Sequence, residues 1–127
     1  MSDSHTKIHN KPLRIAVLVS GSGSNLQVLI DAMQAGALPV EIVGVISNRE
    51  DAYAITRAKD ADIPVAVLAH GASGKRMWIK TFESHASAQL TTWQPDLIVL
   101  AGFMRVLSAG FIDNTPAPMI NLHPALL

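Results

Sequence analysis

Three short stretches hold residues whose types and spacing could do chemistry. In "INLHPALL", Asn121 and His123 stand one residue apart after an apolar run. If that run is a strand, alternation sends both side chains to the same side, where an amide donor and a titratable imidazole can address one reacting atom. Such a pair suits acyl-type transfer, the amide steadying a developing oxyanion while the histidine moves a proton near neutral pH. Taken alone, an Asn-x-His pair beside a proline is more often structural, its imidazole bonded to backbone.

In "SGSGSNLQ", Ser20 to Gln27, two glycines and several small polar residues precede an apolar periodic segment. Gly21 and Gly23 permit φ > 0 and close approach of a ligand, and the amides of Gly23, Ser24 and Asn25 point out along the positive end of a helix dipole. That is an anion cradle, with phosphate as its natural guest. The stretch lacks the Gly-Lys-Ser/Thr of a P-loop, which disfavours a nucleoside triphosphate. It also fails the dinucleotide fingerprint: Leu26 stands where the third glycine belongs, and "SNR" rather than an acid follows the second strand. A plain glycine-rich turn with Ser or Asn capping the helix is the alternative. In "AGFMRVLS", Ala101 to Ser108, a glycine, an exposed-looking Phe-Met pair and an arginine follow a fourth apolar run. Such a loop either lines a pocket for a flat heterocycle or is core packing with one surface arginine.

The elements that must position these stretches alternate. "RIAVLVS" (Arg14 to Ser20), "VEIVGVIS" (Val40 to Ser47), "IPVAVLA" (from Ile63), "PDLIVLAG" (Pro95 to Gly102) and Met119 to Leu122 read as strands, most of them continuously apolar and so buried on both faces. Leu26, Leu29, Ile30 and Met33 recur at helical spacing from Ser24 to a cap at Gly36; "AYAITRAKDA" reads as a short helix, and Ile79, Phe82, Ala86, Leu90 and Trp93 predict a longer one. Strand-helix alternation predicts an α/β fold, a Rossmann-like parallel sheet with helices on both faces. In such sheets ligands bind beyond the carboxyl ends of the strands, near the switch in strand order, so the three stretches should converge.

Composition narrows the classes. At 127 residues the chain is one domain's worth, with residues 1–12 expected as a disordered leader and 13–127 as the folded unit. Ten basic residues balance ten acidic ones, so no global field draws it to nucleic acid or an acidic membrane. With no cysteine there is no disulfide, thiolate metal site or cysteine nucleophile, which suits a reducing cytoplasm. The polar start has no signal-peptide core, and no apolar run nears the ~18 residues that span a bilayer. His5, His9, His70 and His85 make no metal-ligand pattern with His123, and mid-helix His85 is expected to be solvated.

Together, "VLVSGSGSNLQ", "PDLIVLAGFMRVLS" and "INLHPALL" resemble, in order and spacing from about Leu13 to Leu127, the folate-dependent phosphoribosylglycinamide formyltransferases of purine synthesis. The wider formyl-folate group, including formyltetrahydrofolate deformylase, shares the Asn-x-His element but generally lacks the phosphate loop. The resemblance implies a transfer of the formyl group of 10-formyltetrahydrofolate, a co-substrate, to the amine of glycinamide ribonucleotide, with no metal. It implies that Gly23, Ser24, Asn25, Leu26 and Gln27 hold the substrate phosphate. Met104, Arg105, Val106 and Leu107 would line the folate pocket through their backbone. Asn121 would polarise the formyl oxygen and His123 would stabilise the intermediate and handle its proton. Arg76 resembles the family's folate-touching arginine, with Lys75 as competitor.

The family continues past these leucines, into a segment with an aspartate that orients the histidine. The expectation is therefore a formyltransferase fold cut short at the C-terminus, inactive alone and prone to self-association through an exposed strand-five edge. A non-catalytic phosphate-binding module and a dinucleotide oxidoreductase are the competing classes. Gly23→Val is expected to abolish phosphate binding without unfolding the sheet.

Overall fold

The computed structural model describes residues 11–69 and 79–122. The first strand, β1 (Leu13–Val19), is buried from Ile15 onward, and its alternation divides the core in two. Ile15, Val17 and Val19 face one cluster with Leu26 and Ile30 of α1 (Ser24–Gln34) and Ala54, Ile55 and Ala58 of α2 (Tyr53–Asp60). Ala16 and Leu18 face the other, with Phe82, Ala86 and Leu90 of α3 (Ile79–Trp93) and Phe111 of α4 (Ala109–Asn114). Both faces are covered, which is why the strand reads as nearly unbroken apolar sequence.

β2 (Val40–Ser47), β3 (Val65–Val67), β4 (Leu97–Ala101) and β5 (Met119–Leu122) complete an all-parallel sheet of order β3-β2-β1-β4-β5. The expected α/β architecture, a Rossmann-like sheet with helices on both faces, is the observed one. Its order reverses between β1 and β4, so the crevice beyond those two carboxyl ends is the topological switch point. Leu26, at the place of the missing third glycine, is fully buried against β1, a contribution of about 1.5–3 kcal/mol for a side chain of its size. The helix it belongs to ends as anticipated, with Gly36 at φ 74° just past the C-cap Ala35.

Two elements depart from the sequence reading. The third strand is only Val65–Val67, because Pro64 has no N–H to give the ladder and Ile63 donates its own to Ala58 O at 2.9 Å, the end of α2. The short α4 was not anticipated; six residues carry too little apolar periodicity to register. Among the described residues no helix is long and apolar enough to cross a membrane. Of the expected leader only the exposed Lys11 and Pro12 are described, and His5, His9, His70, Lys75, Arg76 and the segment from His123 to Leu127 lie outside the described residues.

Candidate functional site

The glycine loop leaves β1 through Ser20, which is 1% exposed, and enters α1 at Gly23. Gly23 is the N-cap, at φ 79°, ψ 25°, and among the described residues no side chain caps the helix, so the alternative of a Ser or Asn cap is not what forms here. The first bond inside the helix runs from Gln27 N to Gly23 O at 2.8 Å. The amides of Ser24, Asn25 and Leu26 precede it and open from the helix end as donors. Gln27 differs from them: its amide is used by that bond, and its side chain accepts from Arg57 Nη1 at 3.1 Å and donates to Asp31 Oδ1 at 2.8 Å.

Glycine is required at 23 for two reasons. A Cβ there would sit in the left-handed region and lie 2.6 Å from Ala54 Cβ and 2.8 Å from Ala54 Cα. The loop is therefore docked on α2, which also gives its Ala54 N–H to Gly21 O at 3.2 Å and its Arg57 Nε–H to Ser22 O at 2.7 Å. This corrects the expectation for Gly23→Val, whose side chain would push α2 off the loop. Binding and packing would then fail together.

Across the switch point, the loop after β4 returns to the glycine loop directly: Met104 N donates to Ser20 Oγ at 2.7 Å. Two of the three sequence stretches are thus joined by one hydrogen bond. The Phe-Met pair is not uniformly exposed. Phe103 is half-buried, its ring 5.5 Å from that of Phe82, whereas Met104 and Val106 are 76% and 91% exposed. Leu107 turns into the core and Arg105 is half-buried. The far end of the loop is tied to α3, for Glu83 accepts from Ser108 N at 2.7 Å and from Ser108 Oγ at 2.8 Å, while Ser108 Oγ caps α4 by accepting from Phe111 N at 3.1 Å. A loop held at both ends with its middle open can offer backbone groups to a planar ligand.

Asn121 reaches the same level of the sheet. Leu18 of β1 pairs with Leu100 of β4, and Leu100 pairs with Asn121 of β5, so the three lie in one row. Asn121 is two strand spacings from β1, roughly 10 Å. It is exposed and shares with Met119 the face covered by α3 and α4. The third stretch therefore converges on the other two as far as Asn121; its partner His123 lies outside the described residues. His85, on α3, is exposed, as expected for a solvated histidine. Residue types alone did not single out Arg57, Glu83 or Ser20 as supports of these loops. Their partners are 35, 25 and 84 positions away, and only Ser20, inside the quoted glycine stretch, carried any signal.

The candidate site thus comprises amides at a helix end, a loop exposed at Met104 and Val106, and a side-chain amide, all at the carboxyl ends of neighbouring strands. Comparison with known proteins identifies the family and agrees with the fold. The formyl transferase family pattern matches residues 13–127. Over 114 residues the chain is 41% identical to the phosphoribosylglycinamide formyltransferase of Haemophilus influenzae, covering 90% of this chain and 52% of that protein. It is 38% identical over 123 residues to the human trifunctional purine biosynthetic protein adenosine-3, covering 97% of this chain and 12% of that protein. Among solved structures, the phosphoribosylglycinamide formyltransferase of Coxiella burnetii superposes with a TM-score of 0.80 at 47% identity, over 91% of this chain and 53% of that one. The chain spans about half the length of these bacterial relatives.

Proposed function

Because the chain belongs to the formyl transferase family, we propose that it carries the substrate-phosphate and formyl-transfer half of an enzyme that formylates glycinamide ribonucleotide from 10-formyltetrahydrofolate, in purine biosynthesis. The observation that carries this reading is the Ser20 to Met104 hydrogen bond, which joins the glycine loop to the loop after β4 at the switch point. In this reading the amides from Gly23 to Leu26 receive the phosphate, and Gln27 braces the loop through its side chain. Met104, Arg105, Val106 and Leu107 border the folate through their backbone, with Arg76 as a further contact.

The substrate amine attacks the formyl carbon, a C–N bond forms, and the carbonyl oxygen becomes an oxyanion. The Asn121 amide donates to that oxygen, and one such donor is worth about 3 kcal/mol in the transition state. As the intermediate collapses, the bond from the formyl carbon to the folate nitrogen breaks. His123 takes the proton released by the attacking amine and returns one to the folate nitrogen. No metal is called for by these steps. The setting we infer is the cytoplasm, without nucleic acid or membrane as partner.

The test is formyl transfer by this chain, or by a longer polypeptide containing it, with product formation followed alongside folate release. Transfer that requires both substrates is expected. Loss of the formyl group without glycinamide ribonucleotide would point instead to a deformylase. Saturable ribonucleotide binding with no turnover in any length tested would leave a binding module.

A further inference from the structure

We propose that Arg57 is a positioning residue for the phosphate loop, setting the Ser22–Gly23 peptide plane so that the Gly23 N–H faces the bound phosphate. The inference rests on the phosphate reading of that loop given above. Its basis is planarity. No peptide bond among the described residues is cis, and in a trans peptide the C=O and the following N–H point in opposite directions. Ser22 C=O is drawn toward α2 by Arg57 Nε at 2.7 Å, so the Gly23 N–H is directed away from α2. Gly21 C=O is drawn the same way by Ala54 N at 3.2 Å, which directs the Ser22 N–H away as well. Two successive amides are thereby aimed from behind, ahead of the helix-end amides that follow them.

Arg57 is itself held in place. Its Nη1 donates to Gln27 Oε1 at 3.1 Å, and its Cζ lies 4.8 Å from the centre of the Tyr53 ring. One planar guanidinium thus joins the residue before the N-cap to the first full turn of α1, a geometry that a lysine ammonium cannot reproduce. Without it, the peptide ahead of Gly23 loses the acceptor's partner and is free to rotate, because glycine tolerates both resulting φ values. The other side of Arg57 borders a hollow of about 260 Å³ between α1 and α2, also lined by Gln34 and Asp60. Its hydrogen bonds rather than tight packing keep it there, so shortening it opens no void inside the core.

The experiment is an amide NMR titration of the full 127-residue chain with inorganic phosphate and with glycinamide ribonucleotide, for the native sequence, Arg57→Met and Arg57→Lys. In the native chain the amides of Gly23, Ser24 and Asn25 should shift on titration. Arg57→Met should raise the dissociation constant of both ligands about tenfold, the factor for one lost charge-assisted hydrogen bond. Arg57→Lys should recover only part of it. Folate-side binding should stay within twofold in both variants, and in any polypeptide that turns over, KM for the ribonucleotide should rise while kcat holds. Absence of shifts in the native chain would overturn the phosphate reading itself. Native binding retained within twofold by a folded Arg57→Met would overturn the role of Arg57 alone, as would Arg57→Lys binding like the native chain. If both variants lose the native amide spectrum, Arg57 is a folding residue and the proposal fails.

Discussion

Gly21 and Gly23 look alike in the sequence and are not alike in the fold. Among the described residues a Cβ on Gly21 would meet nothing within 4 Å, whereas one on Gly23 collides with Ala54 and takes a left-handed φ. Gly23→Ala should therefore cost about 1–3 kcal/mol in chemical denaturation, and Gly21→Ala within about 0.5 kcal/mol. Equal costs would mean that the loop is not seated on α2. The pair of glycines was legible as a ligand-approach signal, but the packing partner was not, since it arrives from a helix some thirty residues on. Asn121 makes a simpler case: the apolar run before it announced a strand, and β5 does carry it, in register with Leu100. In a polypeptide that turns over, Asn121→Ala should lower kcat about 10²- to 10³-fold with little effect on ribonucleotide binding, read from steady-state kinetics. A near-native kcat would return Asn121 to a structural part.

Among the elements, the periodic ones were legible to within a residue or two, because each buries a continuous face. β2 and β5 have the bounds expected, and α3 runs from Ile79 to Trp93 as its apolar spacing implied. What escaped were pieces set by a few specific hydrogen bonds. α4 begins where Ser108 caps it, and the cap is in turn seated on Glu83 of α3. Glu83→Ala should loosen the stretch from Met104 to Leu107 while leaving α3 intact. The loss of stability should be about 1 kcal/mol, small because the contacts are solvent-exposed. Calorimetry should find folate-side affinity weakened and phosphate affinity unchanged. Equal losses on both sides would show general destabilisation instead. Arg14 plays a comparable part at the other end of α3, its Nη2 donating to Trp93 O at 2.6 Å.

For the whole molecule, alternation of strand and helix made the parallel, two-faced architecture legible, and the convergence of loops followed from it. The order of strands was not, because nothing local in the sequence tells β4 to lie beside β1 rather than beside β3. That order makes β5 the outermost strand on one side among the described residues, with Ile120 45% exposed. Such an edge invites pairing, so this chain should sediment faster than a monomer at high concentration, and Ile120→Lys should restore monomeric sedimentation. A native chain that remains monomeric would remove self-association from the picture. The buried Ser20 hydroxyl has a consequence of its own at this scale. It joins the two loops that the proposed function assigns to phosphate and to folate, so on that reading a ligand that stiffens one loop leaves less freedom for the other ligand to remove. Linkage then requires each ligand to tighten the other by the same factor. Calorimetry of either ligand in the presence of the other should show that cooperativity. Ser20→Ala, with the Met104 amide released, should bind the two as strangers.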